Sequence, residues 1–158
     1  MKSVVDKWRG FWRLTGFERG IVIEAGVALT VTWTGLRLAG FRRWKTALAW
    51  FAPSTVQNLP SNSSTLESAR VIARMELAAA RNLFFHASCL EQSMVLWWLL
   101  RSRGIPVELR VGARKHSERF EAHAWVEFGG TVLNDADGQH AHFVPFDGPI
   151  TSMETPTH

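Results

Sequence analysis

The sequence predicts an α+β fold, a block of helices followed by an antiparallel sheet. Three observations carry that expectation. Apolar residues recur every three or four positions as far as residue 103, strict alternation replaces that period from residue 107, and Gly129-Gly130 separates two of the alternating runs. The 158 residues are 46% hydrophobic and include eight Trp and ten Phe, enough apolar mass for one domain with a real core.

Residues 8–20 and 21–50 read as two helices, with Leu14, Phe17, Ile21, Ala25, Ala28 and Thr32 recurring along one side. The uncharged run between Glu24 and Arg37 has only twelve residues, short of the ~20 that a bilayer requires. Residues 1–52 are therefore expected to form a helical extension that covers the main domain or docks on a partner. "PSTVQNLPSNSS" (53–64) reads as a linker. It ends in "STLE", where Ser64 can cap a helix and Glu67 can complete a capping box. The helix so opened, 65–82, carries Leu66, Ala69, Ala73, Leu77 and Ala80 on one side. "FFHAS" interrupts the pattern, and a further helix runs from Cys89 to Arg103, stopped by Gly104 and Pro106. Strands are expected at 107–114, 122–128, 131–135 and 142–146. The main domain then spans 65–146, and residues 147–158 form a tail.

Of the 18 basic residues, nine fall in the first 45 positions against three acids, so the N-terminal third is basic and the remainder slightly acidic. A solvated face is the plain reading; attraction to an anionic partner is the sharper one. Trp8, Trp12, Arg42 and Arg43 are the candidate docking residues. A monotopic membrane contact through Trp8, Phe11 and Trp12, with Arg9 and Arg13, is the weaker alternative. The basic residues compose no nucleic-acid motif, so nucleic acid is not an expected partner. A single cysteine excludes an internal disulfide, and the N-terminus lacks the order of a signal peptide, so the expected location is the cytoplasm.

That cysteine is the chemical centre of the reading. A free cysteine is more often buried filler than nucleophile, but Cys89 stands at a helix start, where unpaired N–H groups and partial positive charge favour a thiolate. The same N–H groups can meet the oxyanion formed when the thiolate attacks a carbonyl. A thiol nucleophile also requires a base, and the base an orienting partner. His123 lies on the strand face away from the aliphatic alternation, and Asp135 lies on the returning strand. Each alone has a structural reading, as a satisfied strand histidine and a turn residue. A helix-start Cys, a strand His and an Asp on the paired strand together form the triad type of cysteine proteases and transglutaminases.

"CLEQSMVLWWLLRSRGIPVELRVGARK" followed by "FEAHAWVEFGGTVLND" resembles the leader peptidases of lasso-peptide biosynthesis over roughly residues 65–146. The resemblance implies a transglutaminase-like, papain-related fold in the stand-alone form, with the N-terminal helices as its usual extension. It makes Cys89 the nucleophile, His123 the general base and acid, and Asp135 the residue that fixes His123. The 34-residue and 12-residue spacings between them suit the pattern. The implied activity is removal of the leader from a ribosomally made precursor, which frees an amine for an ATP-dependent cyclase that closes the macrolactam. No metal or other cofactor is implied for the peptidase; a metal site from Asp135, Asp137, His140 and His142, with its His-x-His pair on one strand face, is the weaker reading beside that of loop residues near the active-site rim. A small polar pocket near Cys89 is implied for the penultimate leader residue. Residues 1–60 are too helical and too short for the winged-helix leader-recognition module fused in some relatives, so a separate leader-recognition protein is implied.

One departure concerns the oxyanion donor. Papain-like enzymes place a Gln ahead of the cysteine, whereas Leu83 lies six residues before Cys89. Asn82, His86, Ser88 or the Cys89 backbone N–H must serve, and the sequence does not choose between them. A transglutaminase-like acyltransferase or amidase would use the same triad with an amine in place of water, and a non-catalytic docking module would use none of it. The hairpin adds a geometric condition. A two-residue Gly129-Gly130 turn would pair Phe128 with Thr131 and leave Asp135 on the sheet face opposite His123. The triad therefore calls for an odd-length loop, such as 128–130 with Gly130 left-handed, or a bulge, together with a direct His123–Asp135 hydrogen bond.

Overall fold

The long N-terminal helix begins where a hydroxyl meets a carboxylate. The Thr15 hydroxyl accepts the Glu18 N–H at 3.2 Å while the Glu18 carboxylate accepts the Thr15 N–H at 2.8 Å, a reciprocal capping box. From it α1 runs Gly16–Phe51 in the computed structural model, which describes residues 11–51, 63–116, 119–135 and 137–146. The expected boundary near residue 20 lies instead at residues 14–15, between a helical stretch at 11–13 and the Thr15 cap, because nothing at Gly20-Ile21 breaks the helix. The break falls at Gly40, whose φ of 74° and ψ of 166° suit only glycine. Beyond it the chain folds back until the Trp44 indole covers Gly35, where a Cβ would collide with the ring.

Two faces of α1 are apolar. Ile21, Ala25, Leu29 and Thr32 are buried, whereas Phe17, Ile23, Val27, Val31 and Leu38 lie open to solvent. The stretch Gly16–Gly40 is long and apolar enough to cross a membrane by length and composition, with a mean hydropathy of 1.4. Its buried face is nevertheless built into the same core as the other helices and the sheet.

Helix α2 (Ser63–Ala80) already contains Ser64, so the expected Ser64–Glu67 cap does not sit at its start; Glu67 instead faces Arg74 at 3.7 Å. The proposed linker, apart from its last two residues, and the tail lie outside the described residues. Helix α3 (Cys89–Arg101) is the centre of the fold, buried on nearly every side through Glu91, Ser93, Met94, Val95, Leu96, Trp97, Leu99 and Leu100. Gly104, at φ 74°, ends it: Ile105 N–H reaches Leu100 O and Gly104 N–H reaches Arg101 O, the Schellman pattern. Arg103 then pairs with Glu24, tying the end of α3 to α1.

The sheet has order β3-β2-β1-β4, antiparallel throughout, with β1 at Glu108–His116, β2 at Arg119–Phe128, β3 at Thr131–Val132 and β4 at Val144–Pro145. Val107, Leu109, Val126 and Phe128 turn toward the helices and complete one core with Ile72, Leu96, Leu99 and Leu100. Gly112 sits opposite His123 where Trp125, Phe143 and the Val144 carbonyl leave no room for a Cβ. The fold is α+β, as expected, but the last strands are short.

One buried group works against this core. Glu76 is 1% exposed, both its carboxyl oxygens lack a hydrogen-bond partner, and burial pushes its pKa up to about 8 from 4.5. In the unfolded chain it ionises near the lower value, so unfolding releases a proton between the two and stability falls as pH rises through that window. The slope from this group is at most about 1.4 kcal/mol per pH unit. Glu76→Met should therefore raise the urea midpoint at about pH 8 and flatten its decline from about pH 5, read by denaturation at both pH values.

Candidate active site

Cys89 is half-buried at the first position of α3. The residue before it, Ser88, caps the helix: its Oγ accepts the Glu91 N–H at 3.4 Å, and the Glu91 carboxylate accepts the Ser88 N–H at 2.6 Å. A box of this kind contributes roughly 1 kcal/mol and holds the entry to the helix in one conformation. Glu91 is itself held from outside α3. Arg37 of α1 approaches its second oxygen at 3.3 Å and stacks on the Trp33 ring 3.9 Å away, and Trp33 packs on Phe85 in the loop before Cys89.

This capping answers part of the oxyanion question. Asn82 donates its side-chain amide to Ala78 O at 2.7 Å, and the Ser88 oxygen is engaged by Glu91. The Gln92 N–H already reaches Ser88 O at 3.0 Å. Of the first-turn donors that every helix leaves unpaired, the N–H groups of Cys89 and Leu90 are the ones without an acceptor among the described residues. His86 is exposed and lines a cavity of about 410 Å³ that Leu77, Leu83, Phe84, Ala87 and Gln92 share.

A buried serine ties the cysteine's helix to the histidine's strand. Cys89 and Ser93 lie one turn apart on the same side of α3. The Ser93 hydroxyl donates to the Ala124 carbonyl at 2.9 Å, next to His123, and so seats the Cys89 turn beside that part of β2. The His123 ring packs on Trp125 at 6.0 Å and Phe143 at 5.2 Å, and its buried Nε2 lacks a hydrogen-bond partner.

The hairpin differs from the expected one. Gly129 and Gly130, at φ 53° and 80°, form a two-residue type I′ turn, and Phe128 pairs with Thr131. What changes the parity is Asn134. Leu133 N–H still reaches Val126 O, but the Val126 N–H is accepted by the Asn134 side chain at 2.9 Å, and the Asn134 amide donates to Ser93 Oγ at 2.8 Å. The ladder stops there, and Asp135 is released from strand alternation. It comes to 3.7 Å from His123 Nε2, so the two are brought together without the direct hydrogen bond expected between them.

The partner Asp135 does engage is His140. Its Oδ2 accepts both the His140 backbone N–H at 2.5 Å and the ring Nδ1–H at 2.8 Å. Burial alone would raise the Asp135 pKa. The bonds from His140 and Gln139, with His123 nearby, outweigh burial and hold the carboxyl below its usual range. His140 also packs on Trp125, 6.0 Å away, while Asp137 and His142 remain exposed. Arg37, Glu91 and Asn134 were not singled out as site residues from the sequence, and His140 only as a rim loop residue. The pattern "SCLE" at 88–91 did announce the Glu91 cap. Among the expected docking residues, Trp12 is 60% exposed with Arg19 over its ring, and Arg43 is exposed. Trp8 and the Arg42 side chain lie outside the described residues.

Comparison with known proteins agrees with this architecture. The description "Transglutaminase-like superfamily" matches residues 33–146, from the second half of α1 to the end of the sheet. The chain is also 32% identical over 96 residues to the microcin J25-processing protein McjB of Escherichia coli. That similarity covers 58% of this chain and 44% of McjB, so the chain spans less than half the length of that curated relative. No solved structure matches the chain. With a match across most of its length and an α+β fold that presents a cysteine at the start of its central helix, the chain belongs to the transglutaminase-like superfamily.

Proposed function

We propose that this chain is a cytoplasmic cysteine peptidase that removes the leader from a ribosomally made lasso-peptide precursor. The observation that carries the reading is the Ser93–Ala124 bond, which ties the helix that Cys89 opens to the residue next to His123, itself 3.7 Å from the Asp135 carboxylate. Similarity to a microcin J25-processing protein supports the substrate class.

In this mechanism His123 takes the Cys89 proton, and the thiolate sulfur attacks the carbonyl carbon of the scissile bond. The oxygen becomes an oxyanion facing the N–H groups of Cys89 and Leu90. Collapse breaks the C–N bond, and His123 returns the proton to the departing nitrogen, which leaves as the core's free amine. The leader remains as a thioester on Cys89. Water, deprotonated by His123, attacks that thioester, releases the leader as a carboxylate and restores the thiol. Asp135 orients His123 and stabilises its protonated form. The cavity beside Ala87 and Gln92 receives a leader side chain near the scissile bond. The chemistry calls on no metal or nucleotide; ATP belongs to the cyclase that closes the macrolactam from the freed amine.

A separate leader-recognition protein supplies the precursor, and α1 is where it docks. Support for this comes from the basic N-terminal third and from the open apolar side of α1, where Val27, Val31, Trp44, Val95 and Trp98 line a groove of about 500 Å³. Tethering the leader raises its effective concentration without a new contact at the thiol.

Two outcomes test these statements. Cys89→Ala and Cys89→Ser should leave the circular dichroism spectrum unchanged and abolish release of leader from precursor, followed by mass spectrometry; near wild-type cleavage by the alanine variant would end the peptidase reading. The purified chain should cleave slowly alone and at least about tenfold faster with the leader-recognition protein. An unchanged rate on adding that protein would remove the tethering role.

A further inference from the structure

Within the peptidase reading, one more histidine has a defined task. His123 Nε2 is buried without a partner, and the carboxylate beside it, Asp135, stops at 3.7 Å. The oxygen that faces His123 is the same Oδ2 that accepts two hydrogen bonds from His140. Asp135 follows the point where the strand ladder ends, so β-sheet bonding does not set its direction. What sets it is the short 3₁₀ turn Gln139–His142.

We propose that His140 is the positioning residue of this site, a two-point clamp that aims Asp135 Oδ2 at His123 Nε2. An ionised Asp135 only accepts, so the shared contact places a proton on His140 Nδ1. The two bonds engage both lone pairs of Oδ2, so what His123 meets there is the negative charge of a carboxylate held in place. When the Cys89 proton moves to His123, the imidazolium Nε2–H gains a charged acceptor, and closing the gap by about 0.9 Å gives a normal hydrogen bond. The rings are kept in line by Trp125, which packs against both His123 and His140 and donates its indole N–H to Glu127 at 2.6 Å. The neighbouring charges among the described residues include Arg114, lying over Phe143 and paired with Glu121, Arg110, opposite Trp125 and paired with Glu108 and Glu127, and the exposed Asp137 and His142.

The test uses the chain's single cysteine as its own reporter. The full-length protein is treated with iodoacetamide across pH, and alkylation of Cys89 is followed by intact mass, which requires no precursor. Precursor cleavage is measured in parallel. In His140→Ala, kcat should fall between about ten- and a hundredfold with KM unchanged, because the carboxylate is misplaced rather than lost. The alkylation midpoint should rise by about one pH unit, since an imidazolium less well supported stabilises the thiolate less. His140→Asn keeps an N–H donor near the Nδ1 position and should recover most of both effects. In an Asp135→Asn background His140→Ala should add little, because the two act as one unit.

Wild-type kcat and alkylation profile in His140→Ala would overturn the proposal. So would equal loss in His140→Ala and His140→Asn, which would assign the effect to ring packing on Trp125. Either result leaves the peptidase reading intact if Cys89→Ala remains inactive. Cleavage by Cys89→Ala would sink the peptidase reading and the role of His140 with it.

Discussion

The buried hydroxyl of Ser93 holds three structural decisions together. As a donor it fastens α3 to the Ala124 carbonyl, and as an acceptor it receives the Asn134 amide. Asn134 in turn replaces a backbone carbonyl as the acceptor for Val126, which is why β3 ends after two residues. A single 0%-exposed serine thereby fixes the height of the helix on the sheet, the length of the hairpin and the point at which the chain leaves it. Satisfying every member makes such a network rigid, and an orphaned member of it would cost about 1–3 kcal/mol. Cys89, His123 and Asp135 each lie within a turn or a residue of one of its bonds.

A second constraint comes from the N-terminal helix. Glu91 closes the cap under Cys89 with one oxygen and meets Arg37 with the other, so the conformation of the thiol's loop depends on a residue 54 positions earlier. Arg37 is more than half exposed, and the ion pair by itself contributes little. Its value is geometric: the guanidinium is already laid on Trp33, and Trp33 on Phe85, so the carboxylate meets a partner that is held in place. The family match begins at residue 33, where this contact begins.

Much of the fold was legible because period and punctuation are local properties. The change from helical to alternating pattern at residue 107, Gly104 as a helix stop and Gly129-Gly130 as a turn all correspond to what formed. Caps show the limit of that reading. The sequence offers Thr15-x-x-Glu18, Ser64-x-x-Glu67 and Ser88-x-x-Glu91, three versions of one motif. The first and third form boxes, whereas Ser64 sits inside a helix that already includes Ser63. The hairpin shows the same limit at longer range. Two glycines specify the turn, but the fate of Asp135 depends on Asn134 finding Ser93, 41 residues away. No spacing rule contains that. His140 was visible only as half of a His-x-His loop, since its partner is set by a 3₁₀ turn too short to leave a pattern.

The arrangement of the core also orders events in time. Ile21, Ala25 and Leu29 leave a ribosome early, yet they share their core with Met94, Leu96 and Leu100, about seventy residues later in the chain. A chain grows at roughly 5–20 residues per second, so α1 waits several seconds with both apolar faces bare. Long-range closure of this kind slows folding as well. A helix made early is thus among the last to be covered, and the synthesis of this protein passes through an interval in which a strongly apolar helix stands exposed on both sides.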